Sequence, residues 1–330
     1  MIQLVREMEE KNLPSQEKIE RAAEILHQGG LVVFPTETVY GLGADCHNPA
    51  AVQRIFSTKG RPADHPLIIH LASAEQLHDY AVDIPAIAEQ LAQDFWPGPL
   101  TLILKRHPQI NPLVTGGQDT LAVRVPAHPV AQALLQSFGR GVAAPSANRF
   151  GRISPTTAQH ARDELSGQIN YLLDGGPCDL GIESTIINLT GPTPQVLRPG
   201  SITAAMLETI TGPLAAHPSA SSPRAPGNLD SHYAPRTATY LVTKQQLQQP
   251  DFINREPGST GVLAINQPAQ PFYRQWLSLP DDAAGYARNL YAALRTLDQA
   301  GLSCILIQQP PQQAEWLGVN DRLRRAARCL

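Results

Sequence analysis

Short apolar runs, each followed by a polar loop and then by a stretch of helical periodicity, constrain the fold of this chain more than any other feature. Residues 31–34 form a run of four apolar side chains that passes into Pro35-Thr36-Glu37-Thr38-Val39-Tyr40-Gly41-Leu42-Gly43, where hydroxyls and glycines crowd together. Asn48-Pro49 then opens a helix with Val52, Ile55 and Phe56 on one face, and this helix delivers Lys59-Gly60-Arg61-Pro62 ahead of a second apolar run at 67–71. Runs this short, bounded by turn residues, read as buried strands, and Pro just inside a helix is a start signal. The order strand, loop, helix, cationic loop, strand predicts an α/β arrangement with polar groups gathered at element ends.

The alternation continues in both directions. Ser15 after Pro14 predicts an N-cap for a helix carrying Ile19, Ala22, Ala23 and Leu26 on one face, ended by Gly29 and Gly30. Helices are expected near 74–80 and 85–94, and Trp96-Pro97-Gly98-Pro99 turns the chain into a strand at 101–105. Thr115-Gly116-Gly117 and Thr120 feed a strand at 121–125 that contains Arg124. An arginine inside an apolar strand is costly unless something anionic meets it, which leaves two readings, a buried ion pair or a ligand. A helix at 129–138 and a strand at 142–145 lead into Ser146-Ala147-Asn148, and 151–157 caps the next helix.

After Gly212 the composition shifts. Residues 213–236 are rich in Pro, Ala and Ser without periodicity, as a linker is. Strands at 238–242, 260–265 and 303–308, a long helix at 282–300 and a final helix from Asn320 predict a small second α/β unit. The expected division is therefore 1–212, 213–236 and 237–330.

Several chemistries are set aside by the sequence. With 17% charged residues and a net charge of -3, the chain is neither a basic nucleic-acid coat nor a disordered acidic tail, so any polyanion must meet a local cluster of cations. Lys59 and Arg61 are either solvated or such a cluster. The GxxxxGK[ST] and GxGxxG phosphate loops are missing, and no GxSxG elbow surrounds Ser146. The ten histidines include no HExxH, so a metal cage made by protein is not expected, and His70 alone on its strand is either a structural histidine or a ligand group. Cys46, Cys178, Cys304 and Cys329 are scattered, as buried free thiols in a reducing compartment are. The start of the chain is charged and lacks the apolar core of a signal peptide, and the expected location is the cytoplasm.

The ordered set 34–42, Lys59-Gly60-Arg61-Pro62 with Pro66-Leu67-Ile68-Ile69-His70, Trp96-Pro97-Gly98-Pro99-Leu100-Thr101, Arg124-Val125-Pro126, Pro145-Ser146-Ala147-Asn148, Glu183-Ser184-Thr185-Ile186 and Leu197-Arg198-Pro199-Gly200 resembles the YrdC-like threonylcarbamoyl-adenylate synthases. His232-Tyr233-Ala234-Pro235, residues 289–295 and residues 321–327 are similar to the linker and extra domain of the longer, Sua-type members. The resemblance implies a twisted mixed sheet with helices around a concave site, plus a smaller Rossmann-like C-terminal domain. It implies a nucleotidyl transfer in which L-threonine, bicarbonate and ATP, with Mg2+ on the polyphosphate, give threonylcarbamoyl-AMP and pyrophosphate. The product would supply a tRNA-modifying threonylcarbamoyl transferase complex acting at adenosine 37, with weak tRNA binding by the chain itself. Three anionic reactants sharing one cavity require converging cations and hydroxyl or amide donors.

Carried over by position, Thr38, His70, Arg124, the backbone at Ala144 and Ser184 would hold threonine. Lys59, Arg61, His65, Thr120, Ser146, Ser154, Arg198 and Tyr233 would surround ATP, with Lys59, Arg61, Ser146 and Asn148 serving the chemistry. Two positions depart from the family pattern: His65 stands where Asn is common, and Asn228-Leu229-Asp230-Ser231 replaces a stretch usually basic. The linker is expected to fold back over the cavity as a gate. The rival readings are a protein that binds tRNA or double-stranded RNA directly, and a carbamoyltransferase like the hydrogenase-maturation enzymes that contain a similar domain.

Overall fold

The computed structural model describes residues 13–216, 222–227, 232–248, 259–266 and 273–329, so the Asn228-Leu229-Asp230-Ser231 departure lies outside the described residues. The first unit runs α1 Gln16–His27, β1 Val32–Phe34, β2 Gly41–Asp45, α2 Pro49–Lys59, β3 Ile68–His70, a 3-10 turn Ala74–Asp79, β4 Ala81–Val82, α3 Ala86–Phe95, β5 Leu100–Arg106 and β6 Thr120–Arg124. It continues through α4 Pro129–Phe138, β7 Val142–Ala143, α5 Ala158–Leu165, β8 Tyr171–Leu172, β9 Thr185–Asn188, β10 Gln195–Arg198 and α6 Ala204–Thr211. The second consists of β11 Ala238–Val242, α7 Lys244–Leu247, β12 Thr260–Ala264, β13 Gln275–Ser278, α8 Ala283–Asp298, β14 Cys304–Gln308, α9 Leu317–Ala326 and β15 Arg328–Cys329.

The larger sheet has the order β10-β9-β5-β6-β3-β7-β2-β1-β8, with β4 beside β5, and mixes parallel and antiparallel pairs. The smaller sheet, β13-β12-β14-β11-β15, is parallel throughout. Continuous apolar strands covered on both faces are what a parallel sheet requires, and β12 is buried along its whole length. Within the described residues no helix is long and apolar enough to cross a membrane.

Local signals account for most element ends. Asn48 caps α2 by accepting from the Ala51 N–H at 3.2 Å, and Gly60 ends that helix in the left-handed region at φ 62°. Ser15 occupies the N-cap of α1 without a side-chain bond to the helix. A cap contributes about 1 kcal/mol, whereas each fully buried Ile or Leu contributes about 1.5–3 kcal/mol, so the packing of Ile19, Leu26 and their neighbours against α4 holds α1 without it.

The sequence reading differs from the structure at residues 41–43, the end of the stretch read as a loop, which open strand β2. Gly41 and Gly43 lack the side chains that would mark a strand, but β2 pairs with β1 directly against the Phe34 ring. A Cβ on Gly43 would come within 2.9 Å of Phe34 and 2.8 Å of Val142, so only glycine lets this strand into the sheet. Strand β13, with its partly exposed Gln-Trp-Leu-Ser sequence, had no apolar run to reveal it. The two units share one apolar cluster: Val39, Ile153, Ile182 and Tyr233 pack with Tyr286, Leu290, Tyr291 and Val319 of α8 and α9.

Candidate active site

The ends of β2, β3, β6, β7 and β10 converge on a cavity lined by, among others, Thr38, Arg61, His70, Arg124, Ala144, Ser146, Glu183, Ser184, Arg198, Pro226, Gly227, His232 and Tyr233. At one end the parallel register of β3 and β6 sets His70 beside Arg124. Arg124 NH2 lies 2.6 Å from Glu37 Oε1, both side chains being buried. Its NH1 donates to Thr38 Oγ1 at 2.9 Å and its Nε to the Gly98 carbonyl at 3.0 Å. Glu37 also accepts the Ala127 N–H at 3.1 Å. Both readings of Arg124 therefore meet in one side chain: it is ion-paired, and it faces the cavity. Such a pair presents a guanidinium whose charge is balanced in advance, which suits a zwitterionic guest better than a bare anion.

His70 is buried, and burial together with Arg124 pushes its ring down to about 3, so it is neutral at pH 7. Its Nδ1 has no hydrogen-bond partner among the described residues. The Ala144 N–H donates to the Ile68 carbonyl at 2.9 Å, leaving its own carbonyl as the group it can offer.

Arg198 organises the other side. Its Nε and NH2 donate to the backbone oxygen and the hydroxyl of Ser184, each at 3.0 Å, and its NH1 to the Pro226 carbonyl at 3.1 Å. Thr101, fully buried on β5, shares a 2.7 Å hydrogen bond with the same Ser184 hydroxyl. Arg61 donates NH2 to the Pro66 carbonyl at 2.9 Å and lies 5.8 Å from the Phe150 ring centroid, while its Nε has no hydrogen-bond partner among the described residues. Burial lowers Arg61 to about 10, which still leaves it charged at neutral pH.

Lys59 is placed differently from the exposed loop cation that its position before Gly60 suggests. It ends α2, is buried, and gives its ammonium group to the carbonyls of Ser146 (2.6 Å) and Asn148. Burial, reinforced by nearby Arg61, lowers its pKa. Asn148 turns inward, its Nδ2 donating to the carbonyls of Arg149 and Arg152. Ser154 donates to Glu183 at 2.5 Å. His65 rests edge-on against Phe150 at 5.3 Å, and Thr120 opens β6 at a half-buried position. None of these five, Lys59, His65, Thr120, Asn148 and Ser154, is among the cavity-lining residues. Lys59 and Asn148 instead brace the Ser146 loop from behind.

Sequence reasoning singled out cations and hydroxyls and passed over Glu37, Thr101, Glu183, His232, Tyr291 and Arg322 as site residues. Carboxylates do not suggest themselves for a site of anionic substrates, and Glu183 gave a signal only by its place before Ser184. Among the described residues no group of three or more His, Cys, Asp or Glu side chains converges to hold a metal.

Residues 24–200 match the family described as "Telomere recombination", which gathers Sua5, YciO and YrdC proteins, and residues 202–328 match the threonylcarbamoyl-AMP synthase C-terminal domain. The threonylcarbamoyl-AMP synthase of Pyrococcus abyssi is 42% identical over 324 residues, covering 94% of either chain. The chain belongs to the threonylcarbamoyl-AMP synthase family. The Bacillus subtilis synthase is 38% identical over 322 residues, covering 94% of this chain and 93% of its own. The crystal structure of Pyrococcus abyssi Sua5 complexed with L-threonine superposes with a TM-score of 0.88 at 41% identity, again over 94% of both chains. The likeness extends through the C-terminal unit, so this is a two-domain member of the synthase family.

Proposed function

We propose that the chain is a nucleotidyltransferase that converts L-threonine, bicarbonate and ATP to threonylcarbamoyl-AMP and pyrophosphate. The observation that carries this reading is the convergence of Arg61, Arg124 and Arg198 with Thr38, His70 and Ser184 in one buried cavity. The amine of threonine takes up CO2 derived from bicarbonate to form a carbamate. A carbamate oxygen then attacks the α-phosphorus of ATP, and pyrophosphate leaves; Mg2+ would accompany the polyphosphate as part of the substrate and offset its charge.

Thr38, His70, Arg124, Ser184 and the Ala144 carbonyl form the threonine end, where neutral His70 offers an unpartnered nitrogen and Arg124 a balanced guanidinium. Arg61, Arg198, Ser146 and Tyr233 form the nucleotide end. Arg61 and Arg198 make their hydrogen bonds to neutral oxygens among the described residues, which leaves both guanidiniums able to meet the polyphosphate, Arg198 with the Glu183 carboxylate near it. Both act by stabilising charge as it develops in the transition state, with no covalent enzyme intermediate. Lys59 and Asn148 hold the Ser146 loop, Ser154 works through Glu183, and His65 and Thr120 serve at the periphery. The product would pass to a tRNA-modifying transferase complex for adenosine 37, with the cytoplasm as the proposed location.

The catalytic part is read as 1–212, the linker as 213–236 and the C-terminal part as 237–330. Pro226, Gly227, His232 and Tyr233, all within the linker, line the same cavity as Arg61 and Arg198. A linker that lines the site can act as its gate, opening for ATP to enter. Pyrophosphate release that needs both threonine and bicarbonate is the expected result. Release indifferent to either one would refute the reading.

A further inference from the structure

The C-terminal unit reaches the cavity through a buried carboxylate and through the linker residue Tyr233. Glu183, buried and lining the cavity, accepts from Ser154 at 2.5 Å, from Arg322 Nε at 2.7 Å and from the Tyr291 hydroxyl at 3.0 Å. Burial alone would push this carboxyl up, but the guanidiniums of Arg322 and Arg198 hold it down at about 2. Two of these donors come from the second unit, Tyr291 on α8 and Arg322 on α9. Arg322 is fully buried and donates also to the backbone oxygens of Glu183 (3.1 Å) and Pro199 (2.9 Å). One guanidinium thus ties together the two backbone segments that bear Ser184 and Arg198.

The same two side chains hold the cover of the cavity. The Tyr233 ring stacks on Tyr291 at 5.9 Å and 26°, and the Arg322 guanidinium carbon lies 5.4 Å from its centroid. Tyr233 adopts φ 61°, a left-handed conformation that a bulky residue keeps only where its surroundings enforce it.

We propose that Arg322 and Tyr291 are positioning residues for the reaction, fixing through Glu183 the wall that carries Ser184 and Arg198 and through Tyr233 the segment that covers the nucleotide. This rests on the synthase reading above. Without Arg322, the buried carboxylate turns to the remaining guanidinium, Arg198, and draws it away from Ser184 and the phosphates. ATP binding then weakens although neither residue of the C-terminal domain need touch ATP.

The test uses the full chain as wild type, Arg322→Met, Arg322→Met with Glu183→Gln, and Tyr291→Phe. Two quantities are measured: ATP KM and kcat for pyrophosphate release, and the rate of tryptic cleavage after Arg224 and Arg236 without substrate. Arg322→Met should raise ATP KM and linker cleavage at least tenfold each, and Tyr291→Phe about threefold. Removing the stranded charge with Glu183→Gln should restore most of the KM. Values within twofold of wild type for both single variants overturn the proposal, as does a KM loss that Glu183→Gln leaves untouched. Should Arg322→Met fail to fold, unchanged KM and cleavage in Tyr291→Phe overturn it alone. If the wild type makes no product, the synthase reading fails, and the cleavage rates still decide whether these residues hold the linker.

Discussion

Replacing Arg124 by Met separates the ion pair that the structure shows from the threonine contact proposed for the same side chain. The variant strands Glu37, whose partner at 2.6 Å is gone in a setting where both side chains are buried. Breaking a buried pair by removing one member costs about 3–5 kcal/mol, because a charge is left without compensation. The lost bonds to Thr38 and to the Gly98 carbonyl are worth about 0.5–1.5 kcal/mol each and lie within the uncertainty of that figure. Urea unfolding of Arg124→Met should therefore show a loss of roughly 3–5 kcal/mol, and adding Glu37→Gln should recover about 2 kcal/mol of it. Threonine affinity should behave otherwise. A charge-assisted contact to the threonine carboxylate contributes about 1.5–3 kcal/mol, so calorimetry should find binding weakened about tenfold to a hundredfold in Arg124→Met. The double variant should stay as weak as the single one. If the double variant regains threonine affinity along with stability, Arg124 is a structural ion pair and the assignment of the threonine end is wrong.

Three further outcomes follow from the same geometry. His70 and His232 are each held at about 3 chiefly by burial, so the unfolded chain takes up their protons below about pH 6.5 while the folded chain does not. Stability should fall as pH drops from 6.5 toward 3, by about 1.4 kcal/mol per ring at pH 5.5, so these two rings contribute about 3 kcal/mol to the difference between urea titrations at pH 7.5 and 5.5, and the partly buried His160, also lowered, adds in the same direction; a flat profile would contradict the burial of the rings. Lys59→Met removes the donor to two buried carbonyls, costing about 1–3 kcal/mol, and should raise ATP KM at least tenfold with threonine binding within about threefold of wild type; an equal loss of threonine binding would show that the Ser146 loop is not its only target. Gly227 has φ 85° and a Cβ there would stand 2.2 Å from the Tyr233 hydroxyl, so Gly227→Ala should displace the cover and lower kcat/KM for ATP with little change in threonine affinity measured without ATP. Unaltered ATP kinetics in that variant would argue that the cover is not part of the working site.

Much of this was legible in the sequence because helix periodicity and caps are local. Asn48-Pro49 and Thr157 mark helix starts as expected, and the apolar runs at 31–34, 67–71 and 101–105 are strands within a residue or so at each end. The glycine strand β2 was not legible, since its place depends on the Phe34 ring packing against it and not on its own side chains. The site shows the same division. Cations and hydroxyls that face the cavity announced themselves by type and order. Whether a given cation meets a ligand, a carboxylate as Arg124 does, or backbone carbonyls as Lys59 does, depends on residues far along the chain, Glu37 and Thr38 for Arg124 and Ser146 and Asn148 for Lys59, the latter 87 and 89 positions away. Glu183 and Arg322 are 139 positions apart, and no spacing rule links two such residues.

The most direct test of the central claim follows one carbon atom. With ATP, L-threonine and 13C-bicarbonate, mass spectrometry should find threonylcarbamoyl-AMP carrying the label in its carbamoyl group, in amounts equal to the pyrophosphate released, and none when threonine is omitted. An unlabelled adduct, or pyrophosphate released without it, would contradict the account.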